Sequence, residues 1–198
     1  MQVDQDILIN KFREVWTLLK SESMRGSVIV AAAIHDDMLR QILSKRFIPC
    51  KSKSDYLFDG ANAPLGNMAA RIDIAYRTAC ISTKMRDSLH IVRKLRNEFA
   101  HLSKPINFED QSVQDRTEYL FKLNRQFVEL IWPGIRPEVY KFAGVTNPPV
   151  LDGDVLADML KHAGYRHIFE IWASAVAGSL AEKCEEIETL KEHGSGHA

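Results

Sequence analysis

The chain has 198 residues, of which 45% are hydrophobic and 26% are charged, a composition typical of a protein that folds around an apolar core. Lysine and arginine together number 26, and so do aspartate and glutamate, so the formal net charge is zero. This balance excludes a strong global positive field, on which many non-specific DNA-binding proteins depend, although a local basic strip remains possible.

Membrane and secretion signals are not found in the sequence. No run approaches the ~18 consecutive apolar residues of a membrane span, and the amino terminus does not resemble a signal peptide. The three cysteines, Cys50, Cys80 and Cys184, are widely separated and form no CxxC pair. We therefore expect reduced thiols in a cytoplasmic protein that has no membrane partner.

Apolar side chains recur at helical spacing through the first part of the chain. The pattern predicts one helix from Asp4 to Lys20 and a second from about Ser23 to Phe47, which Pro49 stops. Residues 48–66 are rich in Lys, Ser, Gly and Pro and predict a loop, and a loop of this length is often mobile or functional. A further helix is expected from about Gly66 to Cys80.

The next helix is predicted to begin at Ser82, where the hydroxyl of Ser82 or of Thr83 can cap it, and to end near His101. At about 100° per residue, one side of this helix collects a core-facing stripe. The stripe consists of Met85, Leu89, Val92, Leu95, Phe99 and Leu102. Arg96 projects into this apolar side, where a guanidinium must be paired or hydrogen-bonded. Both a structural ion pair and a functional site would account for it.

Asp36 is the second charged residue that the pattern places on an apolar face. It lies, with Arg25, on nearly the same side as the apolar stripe of its helix. We therefore expect Arg96 to be largely buried and paired with Asp36, with Arg71 as the competing cation. Removing one partner of such a desolvated pair costs roughly 3–5 kcal/mol.

The carboxy-terminal part of the chain also has a helical pattern. A helix is predicted from Ser112 to Trp132, and the run from Pro133 to Pro137 is expected to break it. The segment 147–149 predicts a turn. The last helical region, from about Asp154 to Glu192, is long enough that Gly164 is expected to divide it.

These elements predict an all-α fold, a single antiparallel bundle of about six to eight helices. We expect residues 1–147 to form the core of the bundle. Residues 148–198 are expected to form a helical region packed on the same domain, with a disordered tail from about residue 194.

Most catalytic and cofactor signatures are not found in the sequence. There is no GxxxxGK[ST] loop and no GxGxxG motif. His193 and His197 are four residues apart but lie in a Gly-Ser tail, and His162 and His167 have no acidic or thiol partner at ligand spacing. We therefore expect no cofactor and no metal site.

Arg96 and His101 are the remaining candidates for chemistry. RNA cleavage by the substrate's own 2′-hydroxyl needs no metal, only a base or acid near neutral pH and a cation for the phosphorane charge. The two side chains are about 140° apart on an ideal helix, so a bend or a two-fold dimer would have to bring them together. Alternatively, His101 caps the helix and the neighbouring basic residues are simply solvated.

The segment from residue 25 to about 116 resembles the mannitol-operon repressor (MtlR) family. The matching pieces are Arg25-Gly26-Ser27 with the apolar run to Asp36, Pro64-Leu65-Gly66, Ala70-Arg71-Ile72, Ala75-Tyr76, Ile81-Ser82 and the run from Ile91 to His101. The resemblance implies a compact, all-helical bacterial regulator without a recognisable DNA-reading element, which represses through partners and can self-associate. The polar centre that it implies consists of Asp36, Arg71, Arg96, Asn97 and His101, and we expect Arg25 and Arg93 to belong to the same centre.

The same Arg96-Asn97-Glu98-Phe99-Ala100-His101 run is similar to the RxxxxH motif of HEPN domains. These domains are helical bundles that often dimerise, and they include metal-independent ribonucleases and inactive binding modules. The resemblance implies that Arg96 and His101 are a catalytic pair oriented by Asn97. A toxin of this type would have an antitoxin partner.

Two hypotheses follow. The preferred one is a transcription regulator that acts through contact with another protein, with a homodimer possible and no strong direct DNA binding. The alternative is a HEPN-like metal-independent endoribonuclease or RNA-binding module that uses Arg96, Asn97 and His101.

Overall fold

The computed structural model describes residues 5–101, 106–142, 144–145 and 154–191. These residues form eight α-helices and no β-strand, which confirms the prediction of an all-α helical bundle. The helices are α1 (Gln5–Ser21), α2 (Met24–Arg46), α3 (Met68–Arg77), α4 (Thr83–Ala100), α5 (Gln111–Leu123), α6 (Arg125–Phe142), α7 (Val155–His162) and α8 (Gly164–Glu186).

Local signals place several helix ends where the sequence predicts them. The Ser23 hydroxyl accepts a hydrogen bond from the backbone N–H of Gly26 at 3.0 Å and caps α2. The Ser82 hydroxyl does the same for α4 through the N–H of Met85 at 3.2 Å. Gly164 separates α7 from α8 in a left-handed conformation with φ of +73°, which glycine adopts without steric cost.

Helix α8 lies at the centre of the bundle and is buried on nearly all sides. It contributes to both apolar clusters of the core, one formed mainly with α2, α3, α4 and α5 and the other mainly with α1, α6 and α7. The close contact between α1 and α8 depends on Gly178, because a Cβ atom at that position would lie 2.6 Å from the carbonyl oxygen of Leu8. The carboxy-terminal helix is therefore part of the central core.

The predicted helix from Ser112 to Trp132 is wrong in its extent. The helix is interrupted at Asn124, whose buried amide donates to the Ser88 hydroxyl. Helix α6 then begins at Arg125 and continues through Pro133 and Pro137. Both prolines lie on the exposed side of α6, where water can bond the carbonyls that lose a helical partner. The opposite side holds the helix in place by burying Val128, Ile131, Trp132, Ile135, Val139 and Tyr140.

Some predictions concern segments that the structure does not describe. Leu102, the turn at 147–149, the boundary between residues 147 and 148 and the tail from residue 194 all lie outside the described residues. The last helix ends at Glu186, earlier than predicted. Within the described ranges, none of the helices has both the length and the apolar character that crossing a bilayer requires.

Candidate functional site

A cavity of about 340 Å³ lies between α2, the start of α3 and α4, and we call it the α2–α4 cavity. It is lined by Ile29, Ala32, Ala33, Asp36, Gly66, Asn67, Met68, Arg93 and Arg96. The stripe on α4 is buried as predicted at Met85, Leu89, Val92, Leu95 and Phe99. Beside this stripe, the cavity is lined by the short side chains of Ala32 and Ala33 on α2 and by Arg93 and Arg96 on α4.

Asp36 pairs with Arg71 at the wall of this cavity. Their Oδ2 and Nη1 atoms are 2.7 Å apart, and Arg71 is only 8% exposed. The Arg71 Nε–H also donates to the carbonyl oxygen of Leu65 at 2.8 Å, which ties α3 to the preceding loop. Arg71, which was expected only to compete with Arg96 for Asp36, is therefore the partner of Asp36.

The prediction that Arg96 is buried and paired with Asp36 is wrong. Arg96 is exposed, and its Nη1 donates to the Asn97 Oδ1 at 3.1 Å. The angular position of Arg96 on α4 is the predicted one, but the space in front of it is the α2–α4 cavity and not a packed core. Its long side chain therefore reaches solvent without leaving the apolar side of the helix.

Arg93 is the second arginine of the cavity wall. It is partly buried, and its Nε–H is shielded from solvent without a hydrogen-bond partner. Among the described residues, no carboxylate forms an ion pair with Arg93 or with Arg96. Two cationic side chains therefore line one cavity without local compensation.

The remaining predicted residues do not join this cavity. His101 follows the last residue of α4 and is exposed, and its backbone N–H donates to the carbonyl oxygen of Glu98 at 3.3 Å. Arg25 lies in the first turn of α2 and is partly exposed. In the part of the chain that is described, no hydrogen bond joins the side chains of Arg96 and His101. The structure therefore brings together Asp36, Arg71, Arg93 and Arg96, with Asn97 beside them.

A second feature, which the sequence located only as a loop, is the ordered segment between α2 and α3. The two terminal guanidinium nitrogens of Arg40, Nη1 and Nη2, donate to the two carboxylate oxygens of Asp59 at 2.7 and 3.0 Å. These bonds and a further bond from the backbone N–H of Asp55 hold the pKa of the Asp59 carboxyl below its usual value. Phe58 and Leu65 are buried and anchor the loop to the core.

This anchored loop nevertheless exposes three large apolar side chains, Ile48, Tyr56 and Leu57, which we call the loop patch. Tyr56 is 79% exposed and Ile48 is 55% exposed. Ile48 and Tyr56 flank the turn 50–54. The two ends of this turn are in contact, with the Cys50 Sγ 3.8 Å from the Ser54 carbonyl oxygen. Composition predicted the loop, but the bonds between Arg40 and Asp59 that help to fix its shape join positions too distant in sequence for a local pattern to indicate.

The described residues contain no cluster of three His, Cys, Asp or Glu side chains arranged to hold a metal ion. Comparison of the chain with protein-family models, with curated proteins and with solved structures gives no match.

Proposed function

We propose that the chain is a bacterial transcription regulator of the mannitol-operon repressor type, which acts by binding another protein and not by reading DNA. The loop patch is the observation that carries this proposal. Exposed apolar side chains are ordinary when they are scattered, but these three are carried by one loop that the buried Phe58 and Leu65 hold in place, so they are available for a contact at a low ordering cost. Tyrosine in particular provides a large contact area at a low cost in conformational entropy.

The charges around the loop patch indicate the chemistry of the partner. Arg46 and Lys53 are exposed on either side of Ile48 in the sequence. Asp55, the acidic residue that adjoins Tyr56, is half-buried and accepts a hydrogen bond from the backbone N–H of Leu57 at 2.9 Å. A protein surface with an apolar centre and an acidic rim would complement this arrangement. We therefore propose that a protein of that kind binds the loop patch. A second copy of the chain is the alternative partner for this surface.

Transcript profiling in the native host tests this function. Cells that lack the gene are complemented with the wild type, with Tyr56→Ser or with Tyr119→Ser, which removes an exposed tyrosine from α5. We expect the wild type and Tyr119→Ser to restore expression of the same operons, and Tyr56→Ser to fail to do so. Operator-specific DNA binding by the purified wild-type protein would contradict the proposal.

The alternative function, a HEPN-like metal-independent ribonuclease, is supported by one specific observation. The Asn97 side chain bonds the Arg96 guanidinium at 3.1 Å, as expected if Asn97 orients Arg96 toward a phosphate. His101 is exposed at the end of the same helix and is accessible to a substrate. Since no hydrogen bond joins Arg96 and His101 in the described chain, this function would need a second copy or the substrate itself to complete the site.

Incubation of the purified protein with mixed RNA in the presence of EDTA tests this alternative. Metal-free cleavage that disappears in both Arg96→Ala and His101→Ala would establish it, provided that both variants keep the far-ultraviolet circular dichroism of the wild type. Lys94→Ala, an exposed neighbour on α4, is the matched control for a general loss of positive charge. The absence of any cleavage by the wild type would remove this function and leave the regulator.

A further inference from the structure

The α2–α4 cavity has an excess of positive charge at its wall. Arg93 and Arg96 line it, together with Asp36 as the acidic member of the lining. Asp36 is already neutralised by Arg71 at 2.7 Å. Three arginines therefore face one aspartate, and the two that line the cavity have no carboxylate partner among the described residues.

The positions of these arginines indicate that the cavity binds an anion and is not merely filled with solvent. Arg93 is partly buried, and a buried guanidinium without an anionic partner is costly because it remains charged. The start of α3, at Asn67 and Met68, forms another part of the wall, so the positive end of a helix dipole adds to the same field. Guanidinium groups bind carboxylate and phosphate oxygens in a bidentate geometry.

From this arrangement we infer that the α2–α4 cavity is a binding site for a small molecule that carries a phosphate or carboxylate group. The group is bound by the guanidinium groups of Arg93 and Arg96. The apolar part of the lining, from Ile29 to Ala33 and at Met68, contacts the rest of the ligand. The volume of about 340 Å³ is in the range of small-molecule sites and too small for a folded macromolecular segment.

This site goes beyond the proposed regulatory function and does not depend on it. The loop patch is formed by Ile48, Tyr56 and Leu57, none of which lines the cavity. A variant of the loop patch should therefore bind the anion like the wild type. For this reason, failure of the anion site and failure of the protein contact can be told apart.

Isothermal titration calorimetry on the purified protein tests the inference. The probes are glycerol 3-phosphate, malate and inorganic phosphate, with glycerol as the uncharged control and a short single-stranded RNA as the macromolecular source of phosphate. We expect at least one of the three small anions to bind with a Kd on the order of 1 mM or tighter, and glycerol not to bind. The anion that binds identifies phosphate or carboxylate as the preferred group.

Three variants then locate the binding. Arg93→Met and Arg96→Met should each weaken binding by about tenfold or more, because each removes a charge-assisted contact while keeping an apolar stem. Lys94→Met should bind like the wild type, since Lys94 is exposed on the same helix and does not line the cavity. Arg96 is exposed, so its variant is expected to fold even if Arg93→Met does not.

Several outcomes would overturn the inference. These are no heat of binding for any of the small anions, equal weakening by Lys94→Met, or unchanged binding in Arg96→Met. If only the RNA binds, and its binding also depends on Arg96, then the ligand of these arginines is a nucleic acid and not a small molecule.

Discussion

Asp36 lies 2.7 Å from Arg71, and Arg96, on a neighbouring helix, has only the side chain of Asn97 as a bonded partner among the described residues. This one relationship separates the polar centre into two parts. Arg71 is nearly buried and its pair with the partly accessible Asp36 ties α2 to α3, which indicates a structural role. Arg96 and Arg93 are left to contact whatever enters the α2–α4 cavity.

The first prediction concerns the stability of this pair. Asp36→Ala leaves the Arg71 guanidinium, 8% exposed, without its counter-charge. We expect the free energy of unfolding to fall by roughly 3 kcal/mol, the low end for a broken buried pair, because Asp36 itself is partly accessible. Urea denaturation measures it, and Asp37→Ala at the adjacent exposed position is the control, with a change within about 0.5 kcal/mol. Equal effects of the two substitutions would contradict a structural role for the pair.

The second prediction is that the conspicuous motif on α4 does not hold the bundle together. Arg96 and His101 are both exposed, and no ion pair in the described chain depends on either of them. Arg96→Ala and His101→Ala should therefore each change the free energy of unfolding by less than about 0.5 kcal/mol. Thermal and urea unfolding check this, and a loss as large as that of Asp36→Ala would return Arg96 to a structural role.

The sequence predicted those features of the fold that depend on neighbouring residues in the chain. The start of α2 near Ser23, the cap at Ser82, the break at Gly164 and the buried stripe of α4 are confirmed because hydrogen bonds within one turn and apolar spacing decide them. Helical periodicity gives the direction of a side chain about its own axis, and for Arg96 that direction was correct. It could not reveal that a cavity, lined on α2 by Ala32 and Ala33, lies in front of the guanidinium.

The ends of α5 and α6 were predicted wrongly for a related reason. Pro133 is a strong local signal for the end of a helix, but α6 continues through it, because the effect of a proline depends on whether the carbonyl that loses its helical partner faces solvent or core. The position of Asn124, whose buried amide bonds Ser88 on α4, is set by a contact between two helices. A contact of that kind has no signature in a local stretch of sequence.

The third prediction concerns acid. Burial lowers the pKa of His35 from 6.5 to about 4, and only its hydrogen bond to the carbonyl oxygen of Ala173, at 2.9 Å, opposes this effect. The unfolded chain takes up a proton below pH 6.5 whereas the folded one does not, so stability is lost as the pH falls from 6.5 to about 4. The loss from this group, once the pH has fallen below both values, is on the order of 3 kcal/mol.

His35→Gln isolates this contribution, because glutamine keeps a donor for Ala173 but cannot take up a proton. The free-energy difference between wild type and His35→Gln, measured by urea denaturation at several pH values, should shift in favour of the variant as the pH falls through this range. The exposed His101→Gln serves as the control and should follow the wild type. Parallel pH profiles for wild type and His35→Gln would contradict the prediction.

The fourth prediction tests the central position of α8. Gly178→Ala places a methyl group 2.6 Å from the backbone carbonyl oxygen of Leu8, so α1 has to move away from α8. We expect a loss of about 1–3 kcal/mol in the free energy of unfolding, as for other overpacked cores. Gly134→Ala in α6 is the matched control, because its methyl group would meet nothing within 4 Å. That change should stabilise the protein by up to about 1 kcal/mol through helix propensity, and destabilisation by both substitutions to the same extent would refute the packing argument.

The measurement that tests the proposed function most directly is site-specific photocrosslinking in the native host. A photoreactive phenylalanine analogue replaces Tyr56 in the loop patch or, as the control, Tyr119 on α5, which is 51% exposed. We predict one discrete crosslinked protein from position 56 and none from position 119, and deletion of the gene for that protein should abolish the transcriptional effect of the chain. No position-specific crosslink at residue 56, combined with regulation that survives Tyr56→Ser, would contradict a regulator that acts through this loop.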